Sequence, residues 1–466
     1  MDQLWAVVLA AGEGKRMHSR LPKVLHQICG RPMLQYILES TMAVTEQIIV
    51  VVGHGAGSVR QELGSGWRYV FQEQQLGTGH AVACALPLMP DRGKLLVLCG
   101  DTPLLETRHL EQLLEEHSDN AVTLMTALLN EPTGYGRIIR DQNGHVERIV
   151  EEIDASPLEK KVPEINTGTY CFNLGPLKRF LPQLSADNAQ GEYYLTDIIA
   201  LLKEKGHKVG AYRVEDNRIC LGINDRGQLA EAAALMRQRI NHGLMQRGVT
   251  LIDPATTYID YDVQIGSDTV IWPQTVIEGA TKIGCACQIG PAVQLRASCL
   301  DDRVTLRQSV VEESIVETGA VIGPFAYIRP DCRIGQRVKI GDFVEVKNSN
   351  IGEGTKIPHL SYIGDADIQG GANLGAGVII VNYDGRRKYR ATIGTGAFVG
   401  CNSNLISPVE VGDGAYIAAG STVTENVPPG ALALARARQE NKPGVAHRFL
   451  KKNDPVQEKG EKNEKA

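Results

Sequence analysis

The second half of the chain repeats every six residues, a period that neither a helix (3.6) nor a strand (2) produces alone. Counting by six from Ile259 gives Ile265, Ile271, Ile277, Ile283, Ile289 and Leu295. A second count starts at Val304 and runs through Val310, Val316, Ile322, Ile328, Ile334, Ile340 and Val346. One-residue slips then lead to Ile351, Ile357 and Ile363, and to Ile368, Leu374 and Ile380. After a gap come Ile393, Val399, Leu405, Val411, Ile417 and Val423. Glycine often follows the aliphatic residue, as in Ile265-Gly266, Ile334-Gly335 and Val411-Gly412. A triangular coil accounts for this: six residues make one short strand and one turn, and three such units make a coil. The aliphatic residue points inward, and glycine or another small residue takes the corner. The expectation is a parallel β-helix. Residues 381–392 interrupt the period and are expected to leave the prism as a loop, the usual place for a site on a rigid scaffold. An isolated prism exposes flat faces, so side-by-side packing into a homotrimer is expected.

The first half reads differently. Leu4–Leu9, Ile48–Gly53 and Leu95–Asp101 are short apolar runs, as buried parallel strands should be. Helical patterns lie between them, at Met33–Met42 and Thr107–His117. Alternating strands and helices imply a mostly parallel, Rossmann-like sheet with ligands at the carboxyl ends of its strands. Residues 227–247 are rich in Ala, Leu, Gln, Met and Arg and read as a linker helix. The expected fold class is α/β plus all-β. Its expected parts are 1–226, the helix 227–247, the coil 248–440 and a flexible charged tail 441–466.

Composition narrows the function. With 49 basic and 54 acidic residues the net charge is −5, which argues against a nucleic-acid partner held by phosphate neutralisation. No apolar run approaches the roughly 18 residues of a membrane helix, so no membrane insertion is expected. The amino terminus carries Asp2 where a signal peptide needs positive charge, and it reads as a strand. Ten scattered cysteines in a chain of 466 residues read as reduced thiols, and the expected location is cytoplasmic. Cys285-x-Cys287 lacks a partner pair at zinc spacing and reads as two small buried residues.

After the first strand comes Leu9-Ala10-Ala11-Gly12-Glu13-Gly14-Lys15-Arg16-Met17, then Leu21-Pro22-Lys23. Glycines let backbone N–H groups approach phosphate, and Arg16 and Lys23 add positive charge. There is no GK[ST] of a Walker motif and no third glycine of a dinucleotide fingerprint. The combination resembles the signature of nucleotidyltransferases that join a sugar 1-phosphate to a nucleoside triphosphate. Gln72, Gln75-Leu76-Gly77-Thr78-Gly79, Gly100-Asp101, Gly134-Tyr135-Gly136-Arg137, Glu151, Asn166-Thr167-Gly168 and Gly222-Ile223-Asn224 follow in that family's order. In the repeat half the same holds for Tyr327-Ile328-Arg329, Glu345-Val346-Lys347, His359-Leu360-Ser361-Tyr362, Asn373-Leu374-Gly375-Ala376 and Asn382-Tyr383 with Lys388. Over residues 1 to about 440 the chain resembles the bacterial bifunctional N-acetylglucosamine-1-phosphate uridyltransferase / glucosamine-1-phosphate acetyltransferase family, whose repeats form a left-handed parallel β-helix.

The resemblance implies two reactions. Glucosamine-1-phosphate is acetylated from acetyl-CoA, and the resulting N-acetylglucosamine-1-phosphate then takes UMP from UTP with release of pyrophosphate. It implies His359 as the acetyltransfer base, with Glu345 orienting it. Arg329, Lys347, Tyr362, Asn373 and Lys388 would hold the sugar phosphate, and stacking is expected to bring Arg329 and Lys347 close to His359. Ala376, Asn382, Tyr383, Cys401, Ala419 and Arg436 would meet acetyl-CoA, the Ala376 N–H serving as oxyanion donor. In the other half, Leu9, Ala10, Ala11, Gly12, Lys23, Gln72, Gly77, Thr78, Gly136, Glu151, Asn166 and Asn224 would bind UTP and UDP-N-acetylglucosamine. Arg16 and Lys23 would act in catalysis, and Mg²⁺ would sit on Asp101 and Asn224.

Three positions depart from relatives: Lys15 stands where many carry Thr, Cys99 where an aromatic residue is common in some, and Cys401 where some have Ser. Three other readings stay open at this level. They are a single-activity nucleotidyltransferase with a structural β-helix, a non-enzymatic scaffold with a degenerate pocket, and an enzyme for another base or sugar.

Overall fold

The computed structural model describes residues 3–450, so Asp2 and the charged stretch Lys451–Ala466 lie outside the described residues. By their contacts the residues form two units that divide between Pro330 and Asp331.

The first unit opens with an α/β layer. Its strands are β1 (Leu4–Ala10), β2 (Ile48–Val52), β3 (Arg68–Phe71), β4 (Lys94–Cys99), β5 (Val122–Leu128), β6 (Arg137–Arg140), β7 (Val146–Val150), β8 (Glu164–Asn173) and β9 (Val209–Arg213). The sheet order is β9-β5-β8-β4-β1-β2-β3, with the β6–β7 hairpin attached to β8. All pairings along that order are parallel except those of β8. The helices are α1 (Met33–Met42), α2 (Ala56–Leu63), α3 (Thr78–Ala85), α4 (Thr107–His117), α5 (Leu174–Phe180), α6 (Asp197–Glu204) and α7 (Arg226–Gln246). Alternate residues of the central strands enter two separate cores: Val7, Ile49, Val51, Leu95 and Val97 on one face, and Ala6, Val8, Val50, Leu96 and Leu98 on the other. Burial on both faces explains why these strands read as unbroken apolar runs. Strand order reverses between β1 and β4, so the crevice at their carboxyl ends is where a ligand should lie.

The first coils join this layer into one unit. The hairpin Gln27–Pro32 docks on the coil through Arg31, whose guanidinium pairs with both Glu39 and Asp262 and lies 4.3 Å from the Tyr261 ring centre. The Tyr261 N–H donates to Cys29 O at 3.0 Å, and Tyr36 meets Tyr261 edge-on. Buried Asn241 of α7 donates to the carbonyls of Pro254 and Thr257.

Within the first unit, three ribbons of parallel two- and three-residue strands begin at Thr250–Leu251, Tyr258–Ile259 and Gln264–Ile265, the rungs of a left-handed parallel β-helix. The inward ladder differs from the six-residue count in one place. Leu295 stacks on Val311, Leu300 on Val316 and Leu306 on Ile322, each 16 residues on. Shortened turns therefore make Leu306 and Val311, rather than Val304 and Val310, the stacked residues; Val304 is buried off the ladder, and Val310 is half-buried on the outer side of its strand. The Cys285-x-Cys287 reading is half corrected: Cys287 is buried, but Cys285 sits at an exposed corner. All ten cysteines are free thiols.

The second unit repeats the pattern, with ribbons beginning at Arg333–Ile334, Lys339–Asp342 and Glu345–Lys347. Ile379–Val381 and Ala391–Ile393 are rungs, so the loop is shorter than the pattern break and comprises residues 382–390. It folds back on itself through a Tyr383–Lys388 bridge, and the Asp384 carboxylate accepts from the N–H groups of Arg386 and Arg387 at 2.7 Å each. Glycine after the inward aliphatic residue answers to crowding between coils rather than to turn geometry. A Cβ on Gly335 would lie 2.7 Å from Ile351 O, and one on Gly352 would lie 2.5 Å from Gly370 N. Left-handed positions are filled by other glycines, such as Gly354 and Gly371, and by larger residues, among them Arg337, Phe343, Asn348, Leu360 and Asp365.

Gly352→Ala should therefore cost about 1–3 kcal/mol through overpacking, whereas Gly354→Asn, at φ +69° with open space around it, should be nearly neutral. Urea unfolding of the two variants separates crowding from backbone conformation.

Candidate active sites

The crevice at the ends of β1 and β4 has a volume of about 580 Å³ and lies at the expected switch point. Leu9, Ala10, Ala11, Gly12, Arg16, Lys23, Gln72, Gly77, Thr78, Asp101 and Asn224 line it. Gly14 adopts φ +65°, and a Cβ there would lie 2.6 Å from the Lys23 Cβ. The glycine turn thus lets the Lys23 stem pack against the loop, which aims its ammonium into the crevice. That ammonium lies 2.5 Å from Asp101 Oδ2 and 3.1 Å from Asn224 Oδ1. The Ile223 N–H donates to Asp101 O, and Asp225 caps α7, so the helix start and the β4 end are tied together at this point. A Cβ on Gly12 would meet no protein atom within 4 Å, so the glycine there opens crevice space and not packing space.

The opposite wall is just as fixed. Gln72 is buried and donates to Gly77 O at 3.1 Å, while Gln75 donates to Ala11 O at 2.8 Å. Thr78 Oγ1 accepts from the Leu195 N–H, and the Gly79 N–H donates to Tyr193 O. Glu192 lines the crevice too, a residue the motif order did not single out. Lys15, one of the departures, pairs with Glu13 at the exposed rim.

Gly136, Glu151 and Asn166 form a neighbouring group rather than part of the crevice lining. The Asn166 N–H donates to Gly136 O at 2.8 Å, and a Cβ on Gly136 would approach Glu151 Oε2 to 3.3 Å. Cys99 links the two regions: it lines the crevice, and its thiol contacts Gly168 O at 3.6 Å. Burial pushes the Glu151 carboxyl above its ordinary range, helped by Asp197 and Asp154 and opposed by the Thr196 hydroxyl donating at 3.0 Å.

Asp101 and Asn224 offer a cation two oxygens. No cluster of three or more His, Cys, Asp or Glu suited to a metal exists among the described residues. The ammonium between them shows that a cation fits there. A hard divalent ion would complete its shell with phosphate oxygens and water, the habit of Mg²⁺.

The second unit builds another constellation. His359 ends a rung and stacks on Asp342, 17 residues earlier. Its Nδ1 lies 2.5 Å from Asp342 Oδ1, and this hydrogen bond holds the Asp342 carboxyl below its ordinary range. An ionised carboxylate only accepts, so Nδ1 donates this bond, and in the neutral tautomer that makes it Nε2 is the nitrogen with the lone pair. The stacking expected between Lys347 and His359 is not found: Lys347 stacks on Gly364, on another face of the prism. Twelve residues are two-thirds of a coil, so they rotate a side chain to a different face. Asp342 is an acid bonded to the imidazole, and Glu345 stacks on Tyr362.

Register carries this corner upward. Lys356 pairs with Asn373, and three residues further that register sets His359 beside Ala376. Phe398 pairs with Asn373 and with Tyr416, which sets Cys401 and Ala419 above Ala376. The Asn402 N–H donates to Ala376 O and the Gly420 N–H to Cys401 O, both at 2.8 Å. Asp342, His359, Ala376, Cys401 and Ala419 thus form one column. Arg436, exposed, comes one residue after Ala435, whose N–H donates to Ser421 Oγ at the top of the same corner.

A different corner gathers Lys347, Tyr362, Asn382 and the Tyr383–Lys388 bridge. Buried Asp365 is its hub: it accepts from Asn348 at 2.6 Å, from Asn382, and from Lys347 at 3.4 Å. Burial alone would raise Asp365, but these donors outweigh it and hold the carboxyl below its ordinary range. Asn382 also reaches the Tyr362 hydroxyl at 3.5 Å. Asn373 lies on the His359 ribbon, between Lys356 and Phe398. Arg329, in the first unit, rests 5.9 Å from the Tyr327 ring centre.

Because the folded-state value of Glu151 is raised, ionising it costs stability above the ordinary carboxylate range. Glu151→Gln should raise the thermal midpoint near pH 8, and the gain should vanish as pH falls to about 4. A gain independent of pH would contradict an electrostatic origin.

Comparisons with known proteins show the family. Residues 6–149 match the family described as MobA-like NTP transferase domain, and residues 313–348 and 390–425 match the bacterial transferase hexapeptide (six repeats) family. The chain is 50% identical to Bifunctional protein GlmU of Brevibacillus brevis over 97% of its own length and 99% of that protein. It is 52% identical to the protein of the same name in Bacillus subtilis over 97% and 100%, and 52% identical to that of Acetivibrio thermocellus over 94% and 96%. With both domain types on one chain and this identity along nearly its whole length, the chain belongs to the GlmU family, bifunctional enzymes of UDP-N-acetylglucosamine synthesis that carry an acetyltransferase and a uridyltransferase together.

Proposed function

We propose that the His359 column performs acetyl transfer and the β1–β4 crevice performs uridylyl transfer. The observation that carries the first assignment is the column itself. The amine of glucosamine-1-phosphate attacks the thioester carbonyl of acetyl-CoA; a C–N bond forms, the C–S bond breaks, and CoA leaves as the thiol. His359 Nε2 takes the amine proton, and Asp342 stabilises the imidazolium that results. The Ala376 N–H, one coil above, suits the developing oxyanion. The acetyl-CoA chain then runs past Cys401 and Ala419 to Arg436, whose guanidinium suits a CoA phosphate. Lys347, Tyr362, Asn382, Tyr383 and Lys388 form a basic and polar corner suited to a sugar phosphate or to CoA.

In the crevice, an N-acetylglucosamine-1-phosphate oxygen attacks the α-phosphorus of UTP and pyrophosphate leaves. Such transfers depend on positioning and charge neutralisation. Arg16 and Lys23 supply charge at the triphosphate, and Gln72, Gly77 and Thr78 present a fixed polar edge to the base. Gly136, Glu151 and Asn166 suit the sugar. Asp101 and Asn224 would hold Mg²⁺, which would neutralise phosphate charge when bound.

Two coarser features sharpen into proposals. The His359 and Lys347 corners lie on different edges of a triangular prism, so a complete acetyltransferase site calls for a neighbouring prism; this supports a homotrimer. Ten free thiols suit a reducing compartment, which supports the cytoplasm.

A free-thiol assay tests the division of labour. CoA release from acetyl-CoA and glucosamine-1-phosphate should proceed without UTP or Mg²⁺. His359→Ala should lower it about 10²–10⁴-fold and leave uridylyl transfer intact. Asp101→Ala should do the reverse. Loss of both activities from either change in a folded protein would contradict the assignment.

A further inference from the structure

Lys23 stands where the metal ligands converge. Its ammonium takes the Asp101 carboxylate at 2.5 Å and the Asn224 carbonyl oxygen at 3.1 Å, and the pair is mostly shielded, with side-chain exposures of 13% for Lys23 and 19% for Asp101. Neither partner is loose. Asp101 O accepts from the Ile223 N–H at 3.0 Å, and the Asn224 N–H donates to Gln228 Oε1 at 2.7 Å. The stem of Lys23 is pinned at its base against Gly14, while its outer carbons extend into the crevice. Of the trio, the ammonium is the group carried on a long flexible stem.

Charge balance sets the order in which ligands can enter. Glu13, Lys15, Arg16, Lys23, Asp101 and Glu192 are the ionic groups of the crevice lining, three of each sign. A divalent cation brought to Asp101 while Lys23 remains would place like charges within a few ångströms of each other in a partly desolvated site. A triphosphate changes this: it accepts Lys23 and supplies the oxygens the cation lacks.

We propose that Lys23 and the divalent cation compete for the Asp101–Asn224 pair, so that the cation is admitted as the triphosphate draws the ammonium away. Lys23 thereby couples metal binding to nucleotide binding, in addition to its contact with phosphate. The proposal rests on Asp101 and Asn224 being the metal ligands.

The test reads Mn²⁺ binding to the full chain by the loss of the free-ion electron paramagnetic resonance signal, with no turnover involved. Without nucleotide, Lys23→Met should bind Mn²⁺ at least tenfold more tightly than the parent, whereas Lys23→Arg should not. With UTP present, the advantage of Lys23→Met should shrink to less than about threefold. Equal Mn²⁺ affinity of the parent and a folded Lys23→Met would overturn the competition. Adding Asp101→Asn to Lys23→Met should reverse the gain. A gain that survives that second change would overturn the ligand assignment itself.

Discussion

The stacking of one coil on the next at a nearly fixed separation governs everything the repeat half can do. Hydrogen bonds between rungs fix which residues lie above one another, and the inward aliphatic ladder prevents slippage, since a one-residue shift would turn that ladder outward. Glycine after the inward residue keeps neighbouring backbones in contact. A corner of the prism thus becomes an addressable column. Asp342, His359, Ala376, Cys401 and Ala419 are far apart in sequence and consecutive along one edge. No loop has to be ordered to assemble them.

The α/β half uses a different device for the same purpose. The reversal of strand order between β1 and β4 opens a crevice, and the segments around it are tied by hydrogen bonds to main-chain carbonyls rather than by packing alone. Ile223 to Asp101, Gly79 to Tyr193 and Gln75 to Ala11 each join pieces distant in sequence. The electrostatics are balanced and not uniformly basic. Lys23 is bound to an acid and an amide.

Much of this is legible in the sequence, because both halves carry signals with a physical cause. The six-residue period reveals the β-helix, and the glycine turn of the Leu9–Lys23 segment follows β1 and lines the crevice. The misses come from geometry that spacing alone underdetermines. Turns shortened by a residue move the ladder from Val304 and Val310 to Leu306 and Val311. The coil length of 17 identifies Asp342 as the partner of His359, whereas the separation of 12 between Lys347 and His359 spans two faces of a triangle. Cys285, beside a buried Cys287, shows that adjacent corner positions differ in exposure. The role of Asp365, which falls within the His359–Ala366 motif, is not legible there, because nothing in an aspartate reveals that three donors converge on it.

The central claim is that two independent sites on one chain act in succession through a diffusible intermediate. Mixing His359→Ala protein with Asp101→Ala protein tests it directly, in the presence of glucosamine-1-phosphate, acetyl-CoA, UTP and Mg²⁺. Each variant alone should make no UDP-N-acetylglucosamine, and the mixture should make it at a substantial rate after a lag while N-acetylglucosamine-1-phosphate accumulates. A mixture of folded variants that remains inactive, or either variant forming the product alone at the parent rate, would contradict the account.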